Sequence, residues 1–258
     1  MPEAKLHRHS QVHSAFLEHD RDVLVWTPPG YEAEEHRRYP VLYMQDGQNL
    51  FEPDTAFLKG EHWRVGETAS GLIAGSRIIP LIIVGLYNTG DARIDEYTPT
   101  RDAALGGGQA DDYARLLVEE VKPLVDRTYR TLPEAAHTGI AGSSLGGLVS
   151  LHVGFTHPSV FSKVAALSPS VWWDRRAILK TIRQSRAKPL LRLWVDMGTA
   201  EGRRGLDDAR LLKAALVGLG FADNVDLHYA EYEGATHSEL AWADRVGPML
   251  EWLFPSGA

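Results

Sequence analysis

The chain has 258 residues, 44% hydrophobic and 24% charged, an ordinary composition for a globular protein of one large domain. It has no cysteine, which excludes a disulfide scaffold, thiolate metal sites and a cysteine nucleophile. With 27 basic against 34 acidic side chains the net charge is −7, which argues against sequence-independent nucleic-acid binding.

Residues Met1 to Asp20 carry four histidines and no apolar core, unlike a signal peptide. Residues 1–13 are expected to be a loose N-terminal segment, with His7, His9 and His13 as solvated polar residues rather than metal ligands. Strands are predicted at Asp22–Thr27, Pro40–Gln45, Ile78–Leu86, His137–Ala141, Lys163–Ser168, Leu190–Met197 and Val225–Glu231. Several are continuous apolar runs, with Ile79 to Val84 the clearest, as in a parallel sheet covered on both faces. Helices are predicted at Asp111–Asp126, Ser144–Thr156, Asp174–Arg186, Gly205–Leu219 and Ser238–Leu253. The alternation predicts one doubly wound α/β domain over residues 1–258. Its first two strands are expected to make an antiparallel start to a mostly parallel sheet. The longest apolar stretch, Ile78–Leu86, is far short of the ~20 residues of a membrane helix, so a soluble cytoplasmic protein is expected.

In such a sheet, ligands bind at the carboxyl ends of the strands. Gly142-Ser143-Ser144-Leu145-Gly146 occupies one such end and matches Gly-x-Ser-x-Gly, between an apolar strand and a helix. A serine at so tight a turn is held in strained backbone geometry with its hydroxyl exposed, and bulky flanking residues would collide with strand and helix. Ser144 is therefore the candidate nucleophile. The plain alternative is a capped tight turn.

In the chain order nucleophile, acid, histidine, only His152, His157, His228 and His237 follow Ser144. The first two lie on or just after the nucleophile helix, and His228 lies within a strand. His237, in the loop Gly234–Ser238 after the last strand, is the candidate general base. For the acid that orients the imidazole, Glu201 in the loop after Leu190–Met197 is the first choice and Asp196 at that strand's end the second. The oxyanion donors are expected to be the Leu145 N–H and the Gln48 N–H, where Gly47 lets the chain turn sharply.

These blocks carry a resemblance. Tyr39 to Phe51, with its Gln45-Asp46-Gly47-Gln48-Asn49 turn, Arg93 to Pro99, Ile140 to Gly147, and Phe161 through Ser168 to Trp173 resemble the esterase D / enterochelin-esterase-like branch of the α/β-hydrolases. The siderophore-esterase members are nearest, and the likeness covers roughly residues 14–254. The resemblance implies an α/β-hydrolase fold, with a mostly parallel twisted sheet and helices on both faces. It implies Ser144 as nucleophile, His237 as base and an acid at Glu201, although some members work with a Ser–His dyad. It also implies a specificity region in which Trp172 and Trp173 line an acyl or aryl pocket or cap the core. Arg93 there binds an anionic group or pairs with Glu96 or another acid.

The function expected is a serine carboxylic-ester hydrolase with no metal or cofactor, acting on a small-molecule ester, with no nucleic-acid or membrane partner. The alternatives are an acyltransferase on the same machinery, a siderophore trilactone esterase and, last, a non-catalytic binding module. Neither the natural ester nor the oligomeric state is read from the sequence.

Overall fold

A computed structural model describes residues 3–185 and 187–257. Eight strands, β1 (Lys5–Val12), β2 (Arg21–Thr27), β3 (Val41–Met44), β4 (Ile82–Leu86), β5 (Thr138–Ser143), β6 (Lys163–Leu167), β7 (Arg192–Gly198) and β8 (Leu227–Tyr232), form one sheet. Their order is β1-β2-β4-β3-β5-β6-β7-β8. The pairs β1/β2 and β2/β4 are antiparallel and all the others parallel.

The helices are α1 (Val65–Ala74), α2 (Arg93–Glu96), α3 (Ala110–Arg115), α4 (Lys122–Thr128), α5 (Leu145–Thr156), α6 (Trp173–Gln184), α7 (Arg203–Gly218) and α8 (Glu239–Leu253). Residues Leu116–Val121 join α3 to α4 through a wider π turn. Successive strand residues point to opposite faces, and the core divides accordingly. Val23, Val25 and Tyr43 are buried with Tyr113, Leu148, Ile178 and Leu212, whereas Leu24, Trp26 and Met44 are buried with Val65, Leu72, Val246 and Leu250. One face is thus covered by α3 to α7 and the other by α1 and α8. This is the mostly parallel α/β architecture expected from the sequence.

Several expectations need correction. The N-terminal segment is not loose: Lys5–Val12 is a strand paired with β2, His9 bonds the Tyr129 hydroxyl at 2.8 Å, and His7 lies 3.5 Å from the Thr27 hydroxyl. Its polar sequence reads as solvated because this edge strand buries no apolar row. The strands β2 and β3 are not neighbours, because β4 lies between them. The fourth strand begins at Ile82 rather than Ile78, since Pro80 has no N–H for the ladder and the Ile79 N–H instead reaches the Phe254 carbonyl at 3.1 Å. The helix α1 was not predicted. Its buried Val65, Ala69 and Leu72 have helical spacing, but Gly66 and Gly71 dilute the pattern. Arg186, expected to end a helix, lies outside the described residues. Among those residues no helix is long and apolar enough to cross a membrane.

The junction of β5 with α5 leaves no space for a side chain at Gly142, where a Cβ would meet the Gly146 carbonyl carbon and oxygen at 2.6 Å. Backbone cannot retreat as a flexible side chain can. Gly142→Ala is therefore expected to destabilise the fold by about 1–3 kcal/mol, read as a lower urea midpoint at unchanged slope.

Candidate active site

Ser144 joins β5 to α5 with φ 56° and ψ −122°, a conformation that L-residues rarely adopt. Three backbone bonds hold it: its N–H donates to the Leu167 carbonyl at 3.0 Å, and its carbonyl accepts from Ser170 at 2.9 Å and Leu148 at 3.0 Å. The side chain is directed at His237, with Oγ 3.0 Å from Nε2. The other imidazole nitrogen, Nδ1, is 2.7 Å from Glu201 Oε2. A carboxylate only accepts, so Nδ1 carries the hydrogen and Nε2 is left to accept from the Ser144 hydroxyl.

The acid and base loops are stitched together. The Ala200 N–H donates to the Ala235 carbonyl at 3.1 Å and the Gly234 N–H to the Thr199 hydroxyl at 2.9 Å. Glu201 Oε1 accepts from the Gly198 N–H at 2.8 Å and from the Ser168 hydroxyl at 2.5 Å. Burial pushes the Glu201 carboxyl up, but the hydrogen bonds from His237, Ser168 and Gly198 outweigh it and hold the group below the ordinary glutamate range.

Asp196, the second choice for the acid, points elsewhere. It is fully buried behind the site, where Oδ1 is 2.6 Å from Arg245 Nη1 and Oδ2 accepts from the Trp194 indole at 2.7 Å. Burial raises its carboxyl to about 6 even against the lowering effect of Arg245. Arg245 also donates to the Ser168 hydroxyl at 3.2 Å, and the Trp242 indole does so at 3.0 Å. Ser168 thus receives two hydrogen bonds from the interior and passes one to Glu201. The sequence gives little sign of this role for Ser168 and Arg245, because α8 brings Arg245 to β6 and β7 only in the folded chain.

The turn after β3 lies beside Ser144. Asp46 is left-handed at φ 56° and ψ 48°, and Gly47 is pressed so closely on Gly85 that a Cβ would sit 2.5 Å from its carbonyl carbon. The Asp46 carboxylate takes Arg93 in a two-point contact, Nε at 2.7 Å and Nη2 at 2.8 Å, plus the Asn88 amide at 2.7 Å. Gln48 is pinned at both ends: its carbonyl accepts from the Thr55 hydroxyl at 2.7 Å and its side-chain oxygen from the Asn88 N–H at 3.3 Å. Among the described residues the Gln48 N–H has no acceptor, and neither does the Leu145 N–H at the first position of α5.

Two cavities flank Ser144 and His237. One, of about 310 Å³, is lined by His237, Glu201, Trp172, Met197 and Arg204. The other, of about 370 Å³, is lined by Ser144, Asp46, Arg93, Asn88 and Glu239. Trp172 is 40% exposed in the first. Trp173 lines neither: it is buried in the core, where its indole donates to the Thr100 carbonyl at 2.8 Å. The two adjacent tryptophans divide because Trp173 begins α6 and turns inward. Arg93 faces the second cavity but pairs with Asp46, while Glu96 is bound by Arg21 at 2.9 Å through both oxygens.

A family profile with the description "Putative esterase" matches residues 14–253. Uncharacterized protein YbbA of Bacillus subtilis (strain 168) is 27% identical over 249 residues, covering 91% of this chain and 93% of that protein. The siderophore triacetylfusarinine C esterase of Aspergillus fumigatus is 33% identical over 174 residues, 64% of this chain and 57% of that longer protein. Among solved structures, an IroE-like serine hydrolase from Shewanella oneidensis superposes with a TM-score of 0.78 over 98% of this chain and 80% of its own, at 22% identity.

Two predictions follow from the layer behind the site. Arg245→Met leaves the buried Asp196 without its counter-charge and is expected to cost about 3–5 kcal/mol in chemical denaturation. Glu201, held below its ordinary value, contributes stability that is present above that value and lost as the pH falls through the lowered one. The difference in urea midpoint between wild type and Glu201→Gln should therefore be full at neutral pH and shrink as the pH falls below the ordinary glutamate range and on through the lowered one. A difference that widens in acid would contradict the assignment.

Proposed function

The chain belongs to this esterase family and is an ester hydrolase, and we propose that it works by acyl transfer to Ser144 with His237 as general base and Glu201 as the orienting acid. The observation that carries the proposal is the continuous line from Ser144 Oγ to His237 at 3.0 Å and on to Glu201 at 2.7 Å.

The chemistry then runs in two stages. Ser144 Oγ attacks the ester carbonyl carbon as its proton passes to His237 Nε2. The carbonyl electron pair moves onto oxygen, where the Leu145 and Gln48 N–H groups receive it. The intermediate collapses, the C–O bond to the alcohol breaks, and the imidazolium gives its proton to the departing oxygen. Water, deprotonated in turn by His237, attacks the acyl carbon; the bond to Ser144 Oγ then breaks, the imidazolium returns its proton to Oγ and the acid is released. Glu201 keeps its negative charge throughout and stabilises the imidazolium. The two N–H groups are already fixed by the ends of β3 and β5, so they need no reorganisation when charge develops.

The substrate proposed is a small-molecule ester, with Trp172 on the wall next to His237 and a cytoplasmic site of action. The activity in the name of the Aspergillus fumigatus relative supports a narrower reading, an esterase of siderophore ester bonds. The exposed Trp172 ring, suited to an aryl group, supports it as well. Arg93 favours no anionic substrate group, because its guanidinium is committed to Asp46.

Wild type and Ser144→Ala compared on short, long, aryl and triscatecholate esters test the proposal. Ser144→Ala should lose at least ~10⁴-fold in kcat on every ester the wild type cleaves. A fluorophosphonate should label the wild type at Ser144. Full turnover by a clean Ser144→Ala preparation would sink the mechanism. Diversion of the acyl group to an added alcohol would redirect it to acyl transfer.

A further inference from the structure

Glu239 has no part in the proton path from Ser144 to Glu201, yet its carboxylate lines the cavity beside Ser144. It is the first residue of α8, two positions after His237. Both its oxygens are bonded across the cleft: Oε1 accepts from Asn49 Nδ2 at 3.1 Å and Oε2 from the Trp63 indole N–H. Asn49 directly follows Gln48 in the turn that carries the second oxyanion donor. Its amide cannot rotate freely, because its Oδ1 accepts from the Phe57 N–H at 2.9 Å. Its carbonyl accepts from the Trp63 N–H at 2.8 Å, so residues 49 and 63 move together. On the other side Trp63 packs on Trp242 with ring centres 5.8 Å apart, and Trp242 meets the His237 ring edge-on at 4.8 Å.

We propose that Glu239 is a positioning residue that ties the loop bearing the base to the turn bearing the Gln48 oxyanion donor, setting the distance between them. This rests on the mechanism proposed above. The tether joins segments 190 and 176 residues apart in sequence, and no other hydrogen bond described links α8 to the turn. Burial raises the Glu239 carboxyl to about 7 even against the lowering effect of the Trp63 bond, so placing a charge at this position carries a desolvation penalty. An apolar side chain would fill the position without that penalty. What it would lack is two acceptors aimed at two fixed donors.

The donor pattern supplies the test. In Glu239→Gln one amide N–H2 must face either the Asn49 N–H2 or the Trp63 N–H, and that contact is lost. Adding Asn49→Asp reverses the polarity: the new amide donates to the new carboxylate, the Trp63 indole still finds an oxygen, and the Phe57 N–H keeps its acceptor. Turnover is counted per site titrated to completion with a fluorophosphonate, which removes any misfolded fraction. An oxyanion donor acts on the transition state, and losing one outright costs ~10²–10³-fold in kcat. Glu239→Gln alone and Asn49→Asp alone should each lower kcat per labelled site by about 10- to 100-fold, with KM held within about 3-fold. The double variant should recover to within about 5-fold of wild type, a coupling that independent sites do not give. Wild-type kcat per labelled site in Glu239→Gln, with only the labelled fraction reduced, would mean a merely structural role and overturn the proposal. A double variant no better than the singles would overturn it too. Neither result touches the mechanism itself, which stands or falls with Ser144→Ala.

Discussion

At Ser144 the chain turns through φ 56° and ψ −122°, in a part of backbone space where a non-glycine residue costs ~1–3 kcal/mol. Everything on the carboxyl edge of the sheet is arranged around that turn. Gly142 and Gly146 touch backbone to backbone, so strand and helix can meet at so sharp an angle. Bonds from Leu167, Ser170 and Leu148 fix the peptide units on either side. The same turn that lifts the hydroxyl toward His237 also leaves the Leu145 N–H without an intrahelical acceptor. One local strain thereby sets the Ser144 hydroxyl beside His237 and an unpaired N–H next to it, the two features on which the proposed acyl transfer draws.

Behind the turn lies a graded arrangement of charge. Asp196 and Arg245 are both buried and paired at 2.6 Å, each satisfied further by Trp194 or Ser168. Ser168 hands one hydrogen bond on to Glu201, which meets the half-exposed imidazole of His237. The innermost acid is raised by burial and the outer one lowered by its donors. Two carboxylates close to one another in the fold thus acquire different tasks. One anchors a buried arginine, and the other stays ionised opposite the imidazole.

The sequence disclosed the parts of this site that are local. Ser144 lies in a five-residue pattern flanked by an apolar strand and a helix, and His237 in a loop after a strand, so position along the chain was enough. The sharp Asp46-Gly47 turn before Gln48 was legible for the same reason. Glu201 was placed ahead of Asp196 because it lies in the loop after β7, and Glu201 is the one that meets His237; what the sequence did not disclose is that Asp196, on the strand itself, turns inward to Arg245. Trp172 and Trp173 were inseparable in sequence for a similar reason: a helix start between them sends one to solvent and the other to the core. Ser168, Arg245 and Glu239 were missed altogether. Their partners are distant in the chain, and nothing about an isolated serine, arginine or glutamate records which interior donor or acceptor it will meet. In the fold, the strand β1 escaped notice because Lys5–Val12 has no apolar face, and α1 because of its glycines.

That polar first strand has a consequence for how copies of the molecule behave toward one another. In the sheet order β1 is an outermost strand, so one of its sides carries backbone groups that no neighbouring strand completes. A flat apolar margin there would invite a second molecule to continue the ladder and aggregation to follow. Instead the strand reads Lys-Leu-His-Arg-His-Ser-Gln-Val, is largely exposed, and changes register between His9 and Val12. Cationic side chains and a broken register both discourage edge-to-edge association, and they do so without drawing on the apolar material that the core requires.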